Sequence, residues 1–142
     1  MPKFRLEKTI NSPRDKVFEI FTNFSNYQNL FPKYFPSVRI LSTRDDVSVV
    51  EEHLMLGDRE LVMMTKHVTV VPSRHEVFVI GGDAKGTHIV ERFDQIANST
   101  KLTVDVDFKL KGSMKISNLF GKHKIETDYS DIVSECTRVA EL

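Results

Sequence analysis

Alternating apolar and polar residues open the chain and predict a first strand. Between residues 3 and 10, Phe4, Leu6 and Ile10 share one side of a period-2 ribbon, as in a strand with one buried face. A serine–proline pair follows as an N-cap and a first-turn proline, so a short helix is expected next. The aromatic stretch 23–36 contains too much proline for a long helix and predicts a second short helix and a loop.

β-Branched and aromatic residues then recur in short runs from residue 38 to residue 110, separated by turn-forming pairs. This pattern predicts six further strands in an antiparallel meander. After Gly112 the spacing of apolar residues becomes helical, with steps of four and three positions. The residues that carry this spacing are Ile125, Tyr129, Ile132, Cys136 and Val139. They predict one long amphipathic helix that closes the sequence.

These elements together predict an α+β fold. One long helix cannot cover both faces of a seven-stranded sheet, and an antiparallel sheet of that size curls under its own twist. The compact solution is a curved seven-stranded antiparallel sheet wrapped around the long C-terminal helix, with two short helices between strands 1 and 2. No internal repeat or linker interrupts the pattern, so we predict a single domain over residues 1–142.

Composition and charge exclude several classes of function. The 142 residues include 20 Lys and Arg and 20 Asp and Glu, so no net charge draws nucleic acid to the molecule. The single Cys136 cannot form an internal disulfide, which indicates a reducing compartment, and we predict a cytoplasmic protein. No apolar stretch reaches the length of a signal peptide or a membrane span.

Several local motifs resemble those of one superfamily. They are Ile10-Asn11-Ser12-Pro13 with Val17-Phe18, Phe24-Ser25-Asn26-Tyr27 leading to Phe31-Pro32 and Val38, and the turn Gly81-Gly82-Asp83-Ala84-Lys85-Gly86 before Ile89-Val90-Glu91-Arg92-Phe93. With the closing helix, they resemble the START-like or SRPBCC superfamily of helix-grip proteins, which includes polyketide cyclase/dehydrase-like and coenzyme Q-binding proteins. The resemblance covers nearly the whole chain and is specific for the fold rather than for an activity.

The resemblance implies an internal cavity for an apolar or amphipathic ligand, walled by the sheet and the last helix. The leading interpretation is a carrier or sensor that binds a lipid, isoprenoid or quinone, without a cofactor and without catalysis. An aromatase/cyclase-type enzyme acting on a polyketide-like substrate is the first alternative. A protein-interaction module, with a filled interior and an exposed apolar patch, is the second. The sequence leaves the oligomeric state open, with a monomer as the default expectation.

Soft and flat side chains on the predicted inward faces are the candidate ligand-binding residues. Plain core packing is the alternative for most of them. Glu91 shares the inward face with Ile89 and Phe93 if residues 98–99 form a two-residue turn, whereas a one-residue slip places it in solvent. The predicted ligand-binding residues are Phe31, Met63, Ile89, Glu91, Phe93, Val106, Phe108, Leu119, Phe120 and Tyr129.

The five histidines form no motif with metal-ligand spacing, so no metal site is predicted. His67 stands out among them because it lies in a long apolar strand. For the enzyme alternative, the candidate catalytic residues are Glu91, His67 and Tyr129, which would move protons in the cavity. Single substitutions separate the two hypotheses, because only an enzyme would lose turnover while binding stays intact.

A basic segment precedes the long helix. Residues 109–124 carry lysines and no acidic residue. Lys115, Lys122 and Lys124 occur there together with four apolar residues, and the combination predicts a basic, apolar lip that touches an anionic membrane or an acidic head group transiently. The apolar residues are Met114, Ile116, Leu119 and Phe120. A solvated face is the alternative for these lysines.

Overall fold

The computed structural model describes residues 3–110 and 122–142. The described elements, in chain order, are β1 (Lys3–Ile10), α1 (Arg14–Thr22), a 3₁₀ turn (Phe24–Asn26), α2 (Tyr27–Leu30), β2 (Ser37–Arg44), β3 (Val47–Leu56), β4 (Arg59–Val70), β5 (Arg74–Gly82), β6 (His88–Ile96), β7 (Ser99–Asp107) and α3 (Lys122–Ala140). This order follows the predicted sequence of one strand, short helices, six strands and a long helix.

The seven strands form one antiparallel sheet in the order β1-β7-β6-β5-β4-β3-β2. Strands β2 to β7 pair as successive neighbours along the chain, and β1 pairs with β7 at the far edge. Irregularities in pairing at Ile40/Ser42 and at Met64/Thr65 bend the sheet locally, as β-bulges do. The predicted fold, a curved antiparallel sheet around a long C-terminal helix, is confirmed.

Strand alternation places one apolar face of the sheet towards α3. On β7, Leu102, Val104 and Val106 are buried, while the residues between them are more exposed. Ile125 and Ile132 of α3 belong to the same buried cluster. The core of the described residues therefore lies between the concave face of the sheet and the long helix.

Helix α1 closes one end of this core. Phe18 and Phe21 meet Phe93 of β6 edge to face, with ring centroids 5.1 and 5.6 Å apart. The N-cap of α1 is Pro13 and not the preceding serine that the sequence predicts. Ser12 is buried instead, and its carbonyl accepts a hydrogen bond from the hydroxyl of Thr100, 2.8 Å away, which fixes the turn after β1 against β7.

The C-terminal end of α3 is held against the beginning of the chain. The backbone N–H of Asn11 donates to a carboxylate oxygen of Glu141 at 2.8 Å. At its other end α3 passes the turn between β3 and β4, where a Cβ on Gly57 (φ +65°) would lie 2.5 Å from the Asp128 carboxylate. The helix therefore lies across the sheet from that turn to β1. Within the described ranges, no helix combines the length and hydropathy that a membrane span requires.

Candidate functional site

A cavity of about 60 Å³ lies between the concave face of β3–β6, the short helices and α3. Most of its wall is apolar, because the inward positions of the strands and the inner face of α3 carry aliphatic and aromatic side chains. Representative apolar residues of the wall are Leu54, Met63, Val77, Phe108, Ile132 and Val133. The rest of the wall is polar and contains ionisable side chains.

Four ionisable side chains line the polar wall and form a continuous row of hydrogen bonds, which we call the buried polar row: Glu52, His67, His75 and Glu91. Oε1 of Glu52 lies 3.1 Å from Nε2 of His67. Nδ1 of His67 lies 2.8 Å from Nε2 of His75, and Nδ1 of His75 lies 2.6 Å from Oε1 of Glu91. None of the four residues is more than 7% exposed, so these contacts are shielded from bulk water.

Two further residues support the row. The hydroxyl of Thr65 donates to Oε1 of Glu52 at 2.6 Å and lies 2.9 Å from Nε2 of His67. The ring of Phe24 lies against both imidazoles, with centroids 4.1 Å from that of His67 and 5.5 Å from that of His75. Thr65 therefore completes the hydrogen bonding at one end, and Phe24 covers the middle.

Strand register brings the row together. Glu91 lies directly opposite His75 in the β5–β6 ladder. His67 lies opposite Val77, so His67 and His75 are diagonal neighbours on one face, within reach of long or ring-shaped side chains. Each member belongs to a different one of four adjacent strands, β3 to β6, and the row runs obliquely across the concave face, because Glu52 lies opposite Met63, four residues before His67.

The hydrogen-bonding pattern fixes how many protons the row holds. Each of its three contacts joins two atoms that both act as acceptors when deprotonated, so each contact needs one proton. Two neutral imidazoles supply only two protons. The third belongs to an imidazolium or a protonated carboxyl group, and the row as a whole carries one net negative charge.

Burial and hydrogen bonding indicate which groups of the row carry these protons. Burial lowers the pKa of His67, against the opposing effect of Glu52. Burial acts to raise the pKa of Glu52, but the attraction of His67 and the hydrogen bonds from His67 and Thr65 outweigh it and hold that pKa below its ordinary value. Both pKa shifts agree with an anionic Glu52 that accepts a hydrogen bond from a neutral His67. The third proton then lies in the short contact between His75 and Glu91.

Two further titratable groups face the cavity from α3. Burial raises the pKa of the Tyr129 phenol well above its ordinary value, and the nearby Glu91 carboxylate adds to the effect. Burial also raises the pKa of the Cys136 thiol, again with a contribution from Glu91. Both groups are therefore protonated and neutral at physiological pH.

Acidification from pH 6.5 to pH 5.5 is expected to lower the contribution of His67 to the free energy of unfolding. Because its folded-state pKa lies below the ordinary 6.5, the unfolded chain binds the proton first and gains stability as the pH falls. Glu52, with a depressed pKa, adds a further loss as the pH falls towards and below its ordinary 4.5. Urea denaturation followed by circular dichroism across this range measures the slope. A His67→Gln variant should show a smaller slope between pH 6.5 and 5.5, and an unchanged slope contradicts the assignment.

The structure distributes the predicted ligand-binding residues over three environments. Those that line the cavity are Met63, Ile89, Glu91, Phe108 and Tyr129. Phe31, Phe93 and Val106 are buried in the core away from the cavity wall. Leu119 and Phe120 lie outside the described residues. A role in binding stays a prediction for all ten.

The predicted catalytic and lip residues are placed as follows. His67 belongs to the buried polar row, with Glu91, while Tyr129 lies across the cavity on α3. Lys124 is exposed, and its ammonium donates to Asp128 one turn later at 2.9 Å. Lys115 and the side chain of Lys122 lie outside the described part of the chain. Membrane contact by this lip stays a prediction.

Glu52, Thr65 and His75 are missing from the residues that the sequence singles out. The available signal was a polar residue on an otherwise apolar strand face. Glu52 interrupts such a face between Val50 and Leu54, all three of them buried. Within residues 3–110 and 122–142, no group of three or more acidic, His or Cys side chains is arranged to hold a metal ion.

An open groove of about 770 Å³ lies outside the cavity, between α1, the β2–β3 turn and the end of β4. Phe18 and Phe24 supply part of its apolar surface, and Asp15 and Glu19 part of its polar surface. Phe24 also lies against the imidazole rings of His67 and His75 at the cavity wall. Its ring therefore lies between the groove and the imidazoles that line the cavity.

Comparison with known proteins adds three findings. A family model described as polyketide cyclase / dehydrase and lipid transport matches residues 1–141. No curated protein matches the sequence. Solved structures with the same fold include a protein of Thermus thermophilus, with a TM-score of 0.81 and 13% identity, the match covering 99% of this chain and 94% of the other.

Two further solved structures carry informative descriptions. A START superfamily protein from Mycobacterium smegmatis gives a TM-score of 0.78 at 14% identity, covering 98% of this chain and 94% of the other. The Zhui aromatase/cyclase from Streptomyces sp. R1128 gives 0.67 at 16% identity, covering 99% and 88%. At these identities the likeness shows the fold alone.

Proposed function

The chain belongs to the polyketide cyclase / dehydrase and lipid transport family, and from this premise we propose that it binds a hydrophobic or amphipathic small molecule between the sheet and α3. The ligand is of the lipid, isoprenoid or quinone type, and the protein acts as its carrier or sensor, as a single cytoplasmic domain. One observation carries the proposal: an internal cavity with apolar walls and one polar wall, formed by the buried polar row. Such a cavity suits a ligand with an apolar body and one polar group.

Affinity would come from the apolar walls. Burial of ligand surface contributes about 25 cal/mol per Å² of apolar area, while a few polar groups fix the orientation. The cavity of about 60 Å³ is smaller than the roughly 300–1,000 Å³ of typical ligand sites, so binding a lipid-sized molecule requires it to widen.

Displacement of Phe24 offers a route to this widening. The ring lies between the outer groove of about 770 Å³ and the imidazoles of the cavity wall, so rotation of its side chain would give the groove access to that wall. The 3₁₀ turn that carries Phe24 is short and follows α1 directly, and such connecting segments move more easily than the hydrogen-bonded sheet. We therefore place the ligand entrance beside Phe24.

A second candidate function is proton-transfer catalysis of the aromatase/cyclase type. The observation that favours it is the proton count of the buried polar row: a shift of each proton by one place moves the negative charge from Glu52 to Glu91. In this role Glu91, His67 and Tyr129 are the residues to substitute. A protein-interaction module fits less well, because a polar-walled cavity has no purpose in it.

Mass spectrometry of the purified protein tests the leading proposal. Spectra are recorded under native conditions and again after solvent extraction. We expect a stoichiometric small molecule with the mass of a lipid, isoprenoid or quinone, which extraction removes. A protein that carries no such molecule and also fails to bind the neutral fluorescent probe N-phenyl-1-naphthylamine would overturn the proposal.

A further inference from the structure

We propose that Glu91 anchors the polar end of the ligand, and that the cavity selects an uncharged hydrogen-bond donor, an alcohol or a phenol, over a carboxylate. This inference rests on the proposed binding function and names the ligand class within it. Three observations support it: an unused carboxylate oxygen, the net charge of the buried polar row, and the hydrogen-bonding groups that the cavity leaves unused.

The first observation concerns the two oxygens of Glu91. Oε1 is engaged with His75 at 2.6 Å, whereas Oε2 has no hydrogen-bond partner among the described residues. Oε2 is also not one of the sealed, unpartnered polar side-chain atoms in the described part of the chain, which are Nε of Arg14 and Oδ1 of Asp107. Because Glu91 lines the cavity, Oε2 is available there as an acceptor. Glu91 is also more exposed than Glu52, 7% against 3%.

The second observation is the charge balance. The buried polar row carries one net negative charge, as its three shared protons require. The described residues that line the cavity include no lysine and no arginine. A second buried anion without a cationic partner is costly, because an apolar surrounding does not screen the repulsion. A carboxylate ligand would therefore meet a repulsive wall.

The third observation concerns the hydroxyl groups of the cavity wall, most of which already donate to an acceptor in the protein. The Thr65 and Thr87 hydroxyls donate to Glu52 and to the carbonyl of Lys109, and the Tyr27 hydroxyl donates to the carbonyl of Phe21.

The Tyr129 hydroxyl has no such acceptor among the described residues, and the pKa effect of Glu91 puts the two groups within electrostatic reach. A ligand hydroxyl both donates and accepts, so it can donate to Oε2 of Glu91 and accept from Tyr129. An ether can only accept, and a carboxylate adds a charge that the wall repels.

A displacement series tests the inference. N-Phenyl-1-naphthylamine is bound to the protein at pH 7.5 and displaced by 1-dodecanol, dodecyl methyl ether or sodium dodecanoate, which share one apolar chain. We expect dodecanol to displace the probe at roughly tenfold lower concentration than dodecanoate, and the ether to fall several-fold behind dodecanol. The decisive readout is the dodecanol-to-dodecanoate ratio in variants.

Glu91→Gln replaces the acceptor Oε2 with an amide N–H donor at nearly constant shape, so the site no longer favours a hydrogen-bond donor over a carboxylate, and that ratio should fall to about twofold or less. Glu76→Gln is the matched control: Glu76 also pairs with a histidine, His88, at 2.7 Å, but lies away from the cavity wall, so it should keep the wild-type ratio.

The possible outcomes are distinct. An unchanged ratio in Glu91→Gln, or a wild-type protein that prefers dodecanoate, overturns the inference while leaving the binding function intact. If none of the three compounds nor the probe binds, the binding function itself is wrong and the inference falls with it. If Glu91→Gln does not fold, the order in which alcohol, ether and carboxylate displace the probe from the wild-type protein still tests the inference.

Discussion

Replacing Glu52 with alanine is expected to lower the free energy of unfolding by about 2–4 kcal/mol, because it leaves the buried hydroxyl of Thr65 and the N–H of His67 without their shared acceptor. Oε1 of Glu52 accepts hydrogen bonds at 2.6 and 3.1 Å from Thr65 and His67. With Glu52 only 3% exposed, water cannot easily replace the lost carboxylate. Urea denaturation at pH 7.5, followed by circular dichroism at 222 nm, measures the loss.

The neighbouring residue offers a matched control. Glu51 lies on the opposite face of β3, where its half-exposed carboxylate is 3.4 Å from the guanidinium of Arg39. An exposed pair of this kind contributes about 0–1 kcal/mol, so Glu51→Ala should leave the unfolding curve almost unchanged. Equal, small losses in both variants would mean that the row does not hold the four strands together.

Strand alternation explains why the inward position of Glu91 could be predicted from the sequence. The structure pairs Ile96 with Ser99, so the turn residues are Ala97, at φ +54°, and Asn98, one position earlier than the predicted 98–99 turn. This difference shifts the partner strand by two residues. A shift of two preserves the face of every side chain, whereas a shift of one inverts it. Glu91 therefore faces inward under either turn.

The contact between His67 and His75 could not be predicted in the same way. Met63 pairs with Gly82, but Thr65 pairs with Val79, so β5 contains one extra residue at this point. Without the bulge, the pairing that begins at Gly82 would place His75 on the convex face. The buried polar row therefore depends on a single inserted residue. The alternation of apolar and polar residues in β5 does not predict this insertion.

The row and the apolar cavity wall depend on the same geometry. On β3, β5 and β6 the inward positions are mainly apolar, and on β4 they are half apolar and half polar; each strand contributes at least one polar residue at a position that the neighbouring strand can reach. The alternation of residues within one strand shows each inward polar residue only by itself. Only the combined register of four strands shows that these residues meet, which is why a site of this kind is more visible in the fold than in the sequence.

Replacing Val133 with phenylalanine is expected to weaken the binding of N-phenyl-1-naphthylamine by roughly 50- to 100-fold. Val133 is buried and lines the cavity from α3, so the added ring takes the space that a ligand would fill. Loss of about 100 Å² of apolar contact, at about 25 cal/mol per Å², corresponds to this decrease in affinity. Fluorescence titration of the probe measures it, and dodecanol competition confirms that the same site is affected.

Val139→Phe separates loss of the cavity from general overpacking. Val139 is buried on the same helix but does not line the cavity. Its replacement should cost about 1–3 kcal/mol of stability, as overpacking of a filled core does, and leave probe affinity unchanged. Val133→Phe should show the opposite balance, with a smaller stability loss because the ring enters open space. If Val133→Phe retains full affinity, the ligand binds elsewhere, and the outer groove beside Phe24 becomes the site to test.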